Sequence, residues 1–313
     1  MRQWLIGLAL FTAVLGDSVR AEQNDWYPSR YGAEDSLGAI NNLSAAKVLQ
    51  AARLVKTGKT YALGVPTGPD TPTYPPREYS ITVLQLDDGT GKPVGSNHVV
   101  SNDDLLITWM GIGSQIDGLG HAGIDHRYYN GVPAGEFIKP NGLTRFSVHT
   151  LPPIVTRGVL LDMAKHLGKQ VLEPGTAINR AQIEAASKAQ GVRIERGDVV
   201  LLHTGWLNVA DSDPQGFMKG EPGLGLEGAR YLASLGVVAV GADNWALEAV
   251  PSEEPGVFFP VHPELLAKNG TYILETMDTR ALAADGVYEF LFVLGQPRFV
   301  GSAQTIINPV AIR

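Results

Sequence analysis

Short apolar runs alternate with amphipathic segments along the second half of the chain. Val199–His203, Val237–Ala242 and Val287–Leu294 are apolar runs of the kind found in buried strands. Between the first two, Leu226–Leu235 carries apolar residues at helical spacing and is followed by Gly236, a residue that often ends helices. Buried strands that alternate with helices predict an α/β fold.

Capping residues and turn residues delimit further elements. Ser44 can cap a helix over Ala45–Thr57, and Asn179 with Gln182 has the pattern of a capping box for a helix that runs to about Gln190. The same kind of evidence predicts strands at Ser80–Leu86, Val159–Met163 and Tyr272–Leu274, a turn at Asp87–Gly89 and a short helix at Pro263–Lys268.

The N-terminus has the layout of a secretory signal peptide. Arg2 precedes an apolar run from Trp4 to about Leu15, and Val19 and Ala21 are small residues at the −3 and −1 positions of a cleavage site. We therefore predict a signal peptide over residues 1–21 and a periplasmic or secreted single domain over residues 22–313. The alternative, a membrane anchor, is disfavoured because a bilayer span needs about 20 apolar residues.

Composition restricts the partners and the chemistry. The formal net charge is −7, which argues against nucleic acid as a partner because phosphate binding needs clustered basic residues. No later segment has the pattern of a membrane span, so no membrane partner is expected after cleavage. The chain has no cysteine, which excludes a thiolate nucleophile and thiolate metal ligands. Histidine, carboxylate and amide ligands remain, and these suit Zn²⁺ or Mn²⁺.

The segment Gly113–His121 is the strongest candidate for an active site. Gln115, Asp117 and His121 place an amide, a carboxylate and an imidazole among glycines, which let the backbone approach a ligand closely. The chain lacks the Gly-x-Ser-x-Gly elbow of serine hydrolases and the phosphate-binding loop of nucleoside triphosphatases. Gly118–Gly123 and Gly223–Gly228 have the spacing Gly-x-Gly-x-x-Gly, but neither follows a predicted strand, as a dinucleotide-binding site requires. We therefore expect acid–base or metal-assisted chemistry at this segment.

Two further residues lie where α/β clefts form. His262 is at the start of the predicted short helix and Glu275 ends the strand that follows it, and helix starts and strand ends commonly line such clefts. Asp125 and His126 follow His121 closely. Their predicted roles stay open among additional ligands, groups that support the ligands, and solvated loop residues.

Taken together, these segments resemble the metal-dependent cyclase-like hydrolases that include kynurenine formamidase and isatin hydrolase. The resemblance implies a swivelling β/β/α fold and a homodimer or homotetramer. It is carried by Leu37–Leu43, Ala51–Tyr61, Arg196–Trp206, Val240–Asp243, His262–Leu266 and Ile273–Glu275.

The motif of that family is His-x-Gly-Thr-His-x-Asp-x-Pro-x-His, in which the first two histidines and the aspartate bind metal and the last histidine acts in catalysis. Aligned with this motif, Asp117 takes the aspartate position and His121 the last histidine position. Gly111 and Gln115 stand where the two metal-binding histidines are expected. The pattern Gln-x-Asp-x-x-x-His is that of a variant subgroup.

The resemblance implies a divalent ion, Zn²⁺ or Mn²⁺, held by Asp117, Gln115, His262 and Glu275. His121 is then the general acid and base, and Glu275 also orients the attacking water. Two interpretations stay open because of the two replaced histidines: the ion is still bound, with His121 as a further candidate ligand, or the site has lost it and works by acid–base chemistry alone.

The implied activity is hydrolysis of a small amide, lactam or lactone, at a carbon–nitrogen bond other than a peptide bond, as in arylformamidases. Trp109, Tyr129 and Asp243 are the predicted substrate-binding residues, with Tyr128 and Phe258 as further aromatic candidates. Two alternatives use the same pocket: a metal-free dehydratase or isomerase, and a periplasmic protein that binds a small molecule.

Overall fold

The computed structural model describes residues 26–85 and 91–313. The predicted signal peptide and the predicted turn at Asp87–Gly89 lie outside the described residues. Among those that are described, no helix combines the length and apolar character that a membrane crossing requires.

The described strands are mostly short. They are β1 (Thr60–Ala62), β2 (Tyr79–Gln85), β3 (Asn102–Thr108), β4 (Gln115–Asp117), β5 (Ile138–Lys139), β6 (Gly142–Leu143), β7 (Ile154–Asp162), β8 (Ala177–Ile178), β9 (Val199–His203), β10 (Gly223–Leu224), β11 (Ala239–Ala242), β12 (Tyr272–Glu275), β13 (Glu289–Leu294), β14 (Gln304–Ile306) and β15 (Val310–Ile312).

The described helices follow or separate these strands. They are α1 (Ala45–Ala52), α2 (Ala134–Phe137), α3 (Met163–His166), α4 (Arg180–Gln190), α5 (Leu207–Ser212), α6 (Pro214–Phe217), α7 (Leu226–Leu235), α8 (Val261–Pro263) and α9 (Arg280–Ala284). Shorter helical turns are Gly38–Asn42, Tyr129–Gly131, Val148–Thr150 and the π-helical turn Glu264–Lys268.

Within the described ranges, one mixed sheet of nine strands has the order β1-β15-β13-β7-β9-β11-β12-β4-β14. Strands β7, β9, β11 and β12 are parallel, and β4 is antiparallel to both β12 and β14. Strand β9 is buried at every position, as expected for a strand covered on both faces. The predicted α/β class is confirmed.

Local signals predicted several boundaries well. Strand β9 and helix α7 have the predicted bounds, and α4 has its capping box and ends at Gly191, whose φ is 69°. Helix α1 starts after Ser44 as predicted, but it ends at Ala52 because the backbone and hydroxyl of Thr57 donate to the Arg313 carbonyl beside β1. These contacts with the residue that follows β15 take the place of the last predicted helical turn.

Strands β2 and β3 form a two-stranded ribbon apart from the main sheet. The predicted strand at Ser80–Leu86 corresponds to β2. Successive residues along each strand point to opposite faces of the ribbon, and residues paired across the two strands share a face. Both faces carry exposed apolar side chains. Ile81, Val83 and Leu106 are on one face, and Leu84, Leu105 and Ile107 are on the other.

Candidate active site

The register of β4 assembles polar side chains on one face of the sheet. Gln115 lies opposite Glu275 of β12, and Asp117 lies opposite Gln304 of β14. Gln115 and Asp117 are two residues apart, so they point to the same face of β4. Three strands that are distant in sequence therefore place these four side chains together.

Hydrogen bonds join these four side chains to one another. Gln115 Nε2 donates to Glu275 Oε2 at 2.6 Å, and Gln304 Nε2 donates to Asp117 Oδ1 at 2.9 Å. Asp117 is fully buried, yet its Oδ2 has no hydrogen-bond partner among the described residues. A buried carboxylate oxygen without a partner is costly, so this atom points to a ligand.

Two imidazoles face that oxygen. His121 Nε2 is 3.9 Å and His262 Nε2 is 3.8 Å from Asp117 Oδ2, and the three candidate ligand atoms all lie within 4.8 Å of one another. Glu275 Oε1 is 3.2 Å from His262 Nε2. Ligands that each lie about 2 Å from a tetrahedral ion have comparable mutual separations. The residues present therefore fit a divalent ion.

Glu248 orients His262 and was missed by sequence reasoning. Its Oε1 lies 2.5 Å from His262 Nδ1, and its carboxylate also accepts from the backbone N–H groups of Val261 and His262. A carboxylate on one imidazole nitrogen directs the other nitrogen towards a metal, as in many metalloenzymes. The available signal was a single acidic residue in the apolar run 246–250.

The environment sets the charge of these groups. Enclosure by protein lowers the pKa of His121, although the charge of Asp117 opposes this. Burial and the charge of Asp117 raise the pKa of Glu275 to about 7. Burial disfavours the charged form of His262, but its contacts with Glu248 and Glu275 outweigh burial and raise its pKa. A neutral His121 has a lone pair that can accept a proton or bind a cation.

A cavity of about 270 Å³ opens at this group. Its aromatic wall consists of Tyr74, Trp245, Phe258 and Phe259, and Arg77 adds a guanidinium. The remaining lining residues are Gln115, His121, Ala122, Gly123, Ala246, His262, Pro263 and Glu275. An aromatic wall beside a few polar groups is typical of a site for a small molecule.

The structure brings together the five predicted metal and catalytic residues, with one difference in orientation. Asp117, His121, His262 and Glu275 present oxygen or imidazole atoms to a shared space. Gln115 is among them, but its amide N–H groups, not its oxygen, face Glu275 and Asp117. In this arrangement Gln115 is a donor that holds the carboxylates in place.

The three predicted substrate-binding residues lie away from the cavity lining. Tyr129 is fully buried, where it donates to Asp35 and packs against Phe146. Asp243 is buried behind the end of β9, and Trp109 is half-exposed just after β3. These three residues are close to the motif segments in sequence, but the fold places their side chains outside the cavity lining.

Of the remaining predicted residues, one lines the cavity and the others lie outside it. Phe258 lines the cavity as predicted, whereas Tyr128 packs against Phe137. Asp125 and His126 are exposed residues of the loop after His121, and neither lines the cavity.

Comparison with known proteins gives the family. A family model described as "Putative cyclase" matches residues 61–249, more than half of the chain. A solved structure described as a novel cyclase is 30% identical, with a TM-score of 0.81, and the match covers 90% of this chain and 96% of that chain. No curated protein matches the chain.

More distant structures share the fold. Isatin hydrolase A from Ralstonia solanacearum is 18% identical, with a TM-score of 0.61, over 87% of this chain and 98% of that chain. A structure described as a potential metal-dependent hydrolase with cyclase activity is 17% identical, with a TM-score of 0.53, over 81% of this chain and 98% of that chain. The predicted cyclase-like fold is confirmed, and the chain belongs to the cyclase family.

Proposed function

We propose that this chain is a metal-dependent hydrolase of a small amide, lactam or lactone. The observation that carries the proposal is the buried Oδ2 of Asp117, which has no hydrogen-bond partner in the described part of the chain and faces the Nε2 atoms of His121 and His262. The fold shared with isatin hydrolases supports a hydrolytic reaction. The cavity beside these atoms is large enough for a small aromatic molecule.

In this proposal Asp117, His262 and Glu275 hold a Zn²⁺ or Mn²⁺ ion, because carboxylate and imidazole ligands suit either metal. When bound, such an ion activates water and polarises a carbonyl group. Glu248 fixes the orientation of His262, and Gln115 and Gln304 fix those of Glu275 and Asp117.

His121 carries the proton. It is the more exposed of the two imidazoles at this group, with 26% of its side chain accessible against 11% for His262. Its lowered pKa keeps the ring neutral near pH 7, so it can accept a proton from water. It then donates that proton to the leaving nitrogen or oxygen.

The first experiment measures metal content by plasma mass spectrometry, on protein purified without chelator or affinity-tag nickel. We expect about one Zn or Mn ion per chain, with hydrolysis of N-formyl amides, lactams or lactones that stops when a chelator removes the metal. Absence of metal, with no uptake of added Zn²⁺ or Mn²⁺, contradicts the proposal and favours a metal-free acid–base enzyme or a binding protein.

The second experiment compares His121→Ala with His126→Ala, an exposed histidine of the same loop. We expect His121→Ala to lose about 10²- to 10⁴-fold in turnover, as general acid–base groups do, while metal content and thermal stability stay near wild type. The control should keep full turnover. Unchanged turnover in His121→Ala contradicts this role, and loss of metal in the same variant makes His121 a ligand.

We also propose that the protein is exported through its N-terminal segment. The basic start, the apolar run and the small residues Val19 and Ala21 support cleavage after Ala21. N-terminal sequencing of the protein from the periplasm or the medium should then begin at Glu22. A mature protein that keeps the first 21 residues contradicts cleavage and favours an anchor.

A further inference from the structure

Arg77 is a cation that lines the cavity and has no carboxylate partner among the described residues. Its guanidinium donates to the Gly111 carbonyl and lies 4.4 Å from the centre of the Tyr74 ring. No ion pair joins it to a carboxylate of the described residues, although it shares the cavity with Glu275. Backbone and aromatic contacts therefore hold a permanent positive charge at the wall of the cavity.

This guanidinium occupies the space that a side chain at position 111 would need. A Cβ atom built on Gly111 would lie 2.7 Å from Arg77 Nη1 and 2.8 Å from Gln304 Nε2. Position 111 is where the family motif has its first metal-binding histidine. In this chain the Arg77 guanidinium therefore takes the place of that neutral histidine. It lies beside Gln304, which donates to Asp117.

The geometry points to Arg77 as an anion-binding residue, so that the cavity binds a small aryl carboxylate. A guanidinium binds a carboxylate through paired hydrogen bonds, and the aromatic wall accommodates the ring. Hydrolysis produces such a carboxylate when the carbonyl carbon of the amide, lactam or lactone is attached to the aromatic ring. The inference deepens the proposed hydrolase and rests on it for the reaction, whereas carboxylate binding requires neither metal nor turnover.

The test measures binding of benzoate and of its neutral analogue benzamide to metal-free protein by calorimetry. We expect wild type to bind benzoate about tenfold more tightly than benzamide, as one charged hydrogen-bonding group contributes. Arg77→Met should lose this preference, and Arg77→Lys should keep part of it. Equal binding of the two probes by wild type overturns the inference.

Arg145→Met is the matched control. The Arg145 guanidinium also lies over an aromatic ring, 4.9 Å from the centre of Phe146, and it donates to the Glu34 and Asp35 carbonyls. Arg145 is not among the lining residues of the cavity. We expect this variant to keep the wild-type preference for benzoate. Loss of the preference in Arg145→Met assigns the effect to net charge and overturns the inference.

Gly111→Ala keeps the test valid if Arg77→Met fails to fold. The new methyl group displaces Arg77 Nη1 and Gln304 Nε2, which are the ends of flexible side chains, and the net charge stays the same. We expect the same loss of preference as in Arg77→Met. Wild-type preference in Arg77→Met, or in Gly111→Ala where Arg77→Met does not fold, overturns the inference. Failure of the proposed hydrolase has a different readout, namely no metal uptake and no hydrolysis by the intact protein.

Discussion

Asp243 closes the turn that follows β9. Its Oδ1 accepts from the Thr204 N–H and hydroxyl, its Oδ2 accepts from the Gly205 N–H, and His203 Nδ1 lies 3.3 Å from Oδ2. The carboxylate is fully buried and has no free oxygen to offer a substrate. Its contacts give Asp243 a structural role at the end of the parallel strands.

The His203–Asp243 pair should make stability depend on pH. Burial disfavours a charged His203, but Asp243 outweighs burial and raises the pKa of His203 above 6.5. A raised pKa in the folded state stabilises the protein below the unfolded pKa, and this contribution disappears as pH rises through the folded pKa. We therefore expect His203→Gln to lower the melting temperature more at about pH 5 than at about pH 9. Equal losses at both pH values contradict the pairing.

Among single residues of the candidate site, the sequence predicted those that belong to one contiguous motif. Asp117 and His121 are four positions apart, so a local pattern sufficed. Arg77, Glu248 and Gln304 are brought to the site by loops and strands far away in sequence, and no spacing rule connects them to Asp117. The free Oδ2 of Asp117 became evident only when its surroundings were known.

Among the elements, the close contact between β7 and β13 requires a glycine, which has no side chain, opposite a phenylalanine ring. Gly158 pairs with Phe290, and a Cβ built on Gly158 would lie 2.1 Å from the Phe290 ring. We expect Gly158→Ala to lower the free energy of unfolding by about 1–3 kcal/mol, the usual cost of overpacking. Denaturant titration measures this change.

Gly135→Ala is the control for that measurement. Gly135 lies in α2, and a Cβ built there meets no atom within 4 Å. Alanine is the better helix former, so we expect no loss of stability. A loss in Gly158→Ala no greater than in Gly135→Ala contradicts the packing argument.

Element prediction succeeded where the pattern was local and long. Strand β9 is a continuous apolar run, helices α4 and α7 have apolar periodicity and end signals, and all three were predicted. Strands β4 and β14 have three residues each, and they are defined by the pairing of β4 with β12 on one side and with β14 on the other. The sequence therefore identified the candidate segment without predicting the strand register that builds its site.

For the whole molecule, we predict a homodimer or homotetramer whose contact includes the β2–β3 ribbon. A two-stranded ribbon is marginally stable alone in water, and this one exposes apolar side chains on both faces. A second copy of the chain would bury the apolar side chains of one face. Light scattering after size-exclusion chromatography should give twice or four times the mass of one chain.

Charged substitutions on the ribbon identify the face involved. Ile81 and Ile107 lie on opposite faces and are 50% and 65% exposed. Lysine at the buried face should yield monomers, and lysine at the other face should leave the assembly intact. A wild-type monomer, or an assembly that survives both Ile81→Lys and Ile107→Lys, contradicts the prediction.

The position of Arg77 against Gly111 also constrains how such a site changes during evolution. Even an alanine at 111 would press against the guanidinium, and a histidine would need much more of the same space. A histidine at 111 can therefore be accommodated only if Arg77 is replaced or its guanidinium moves away from the site. The residue at 111 and the position of the Arg77 guanidinium are thus coupled, and relatives in which this guanidinium lies at the same place should keep a small residue at 111.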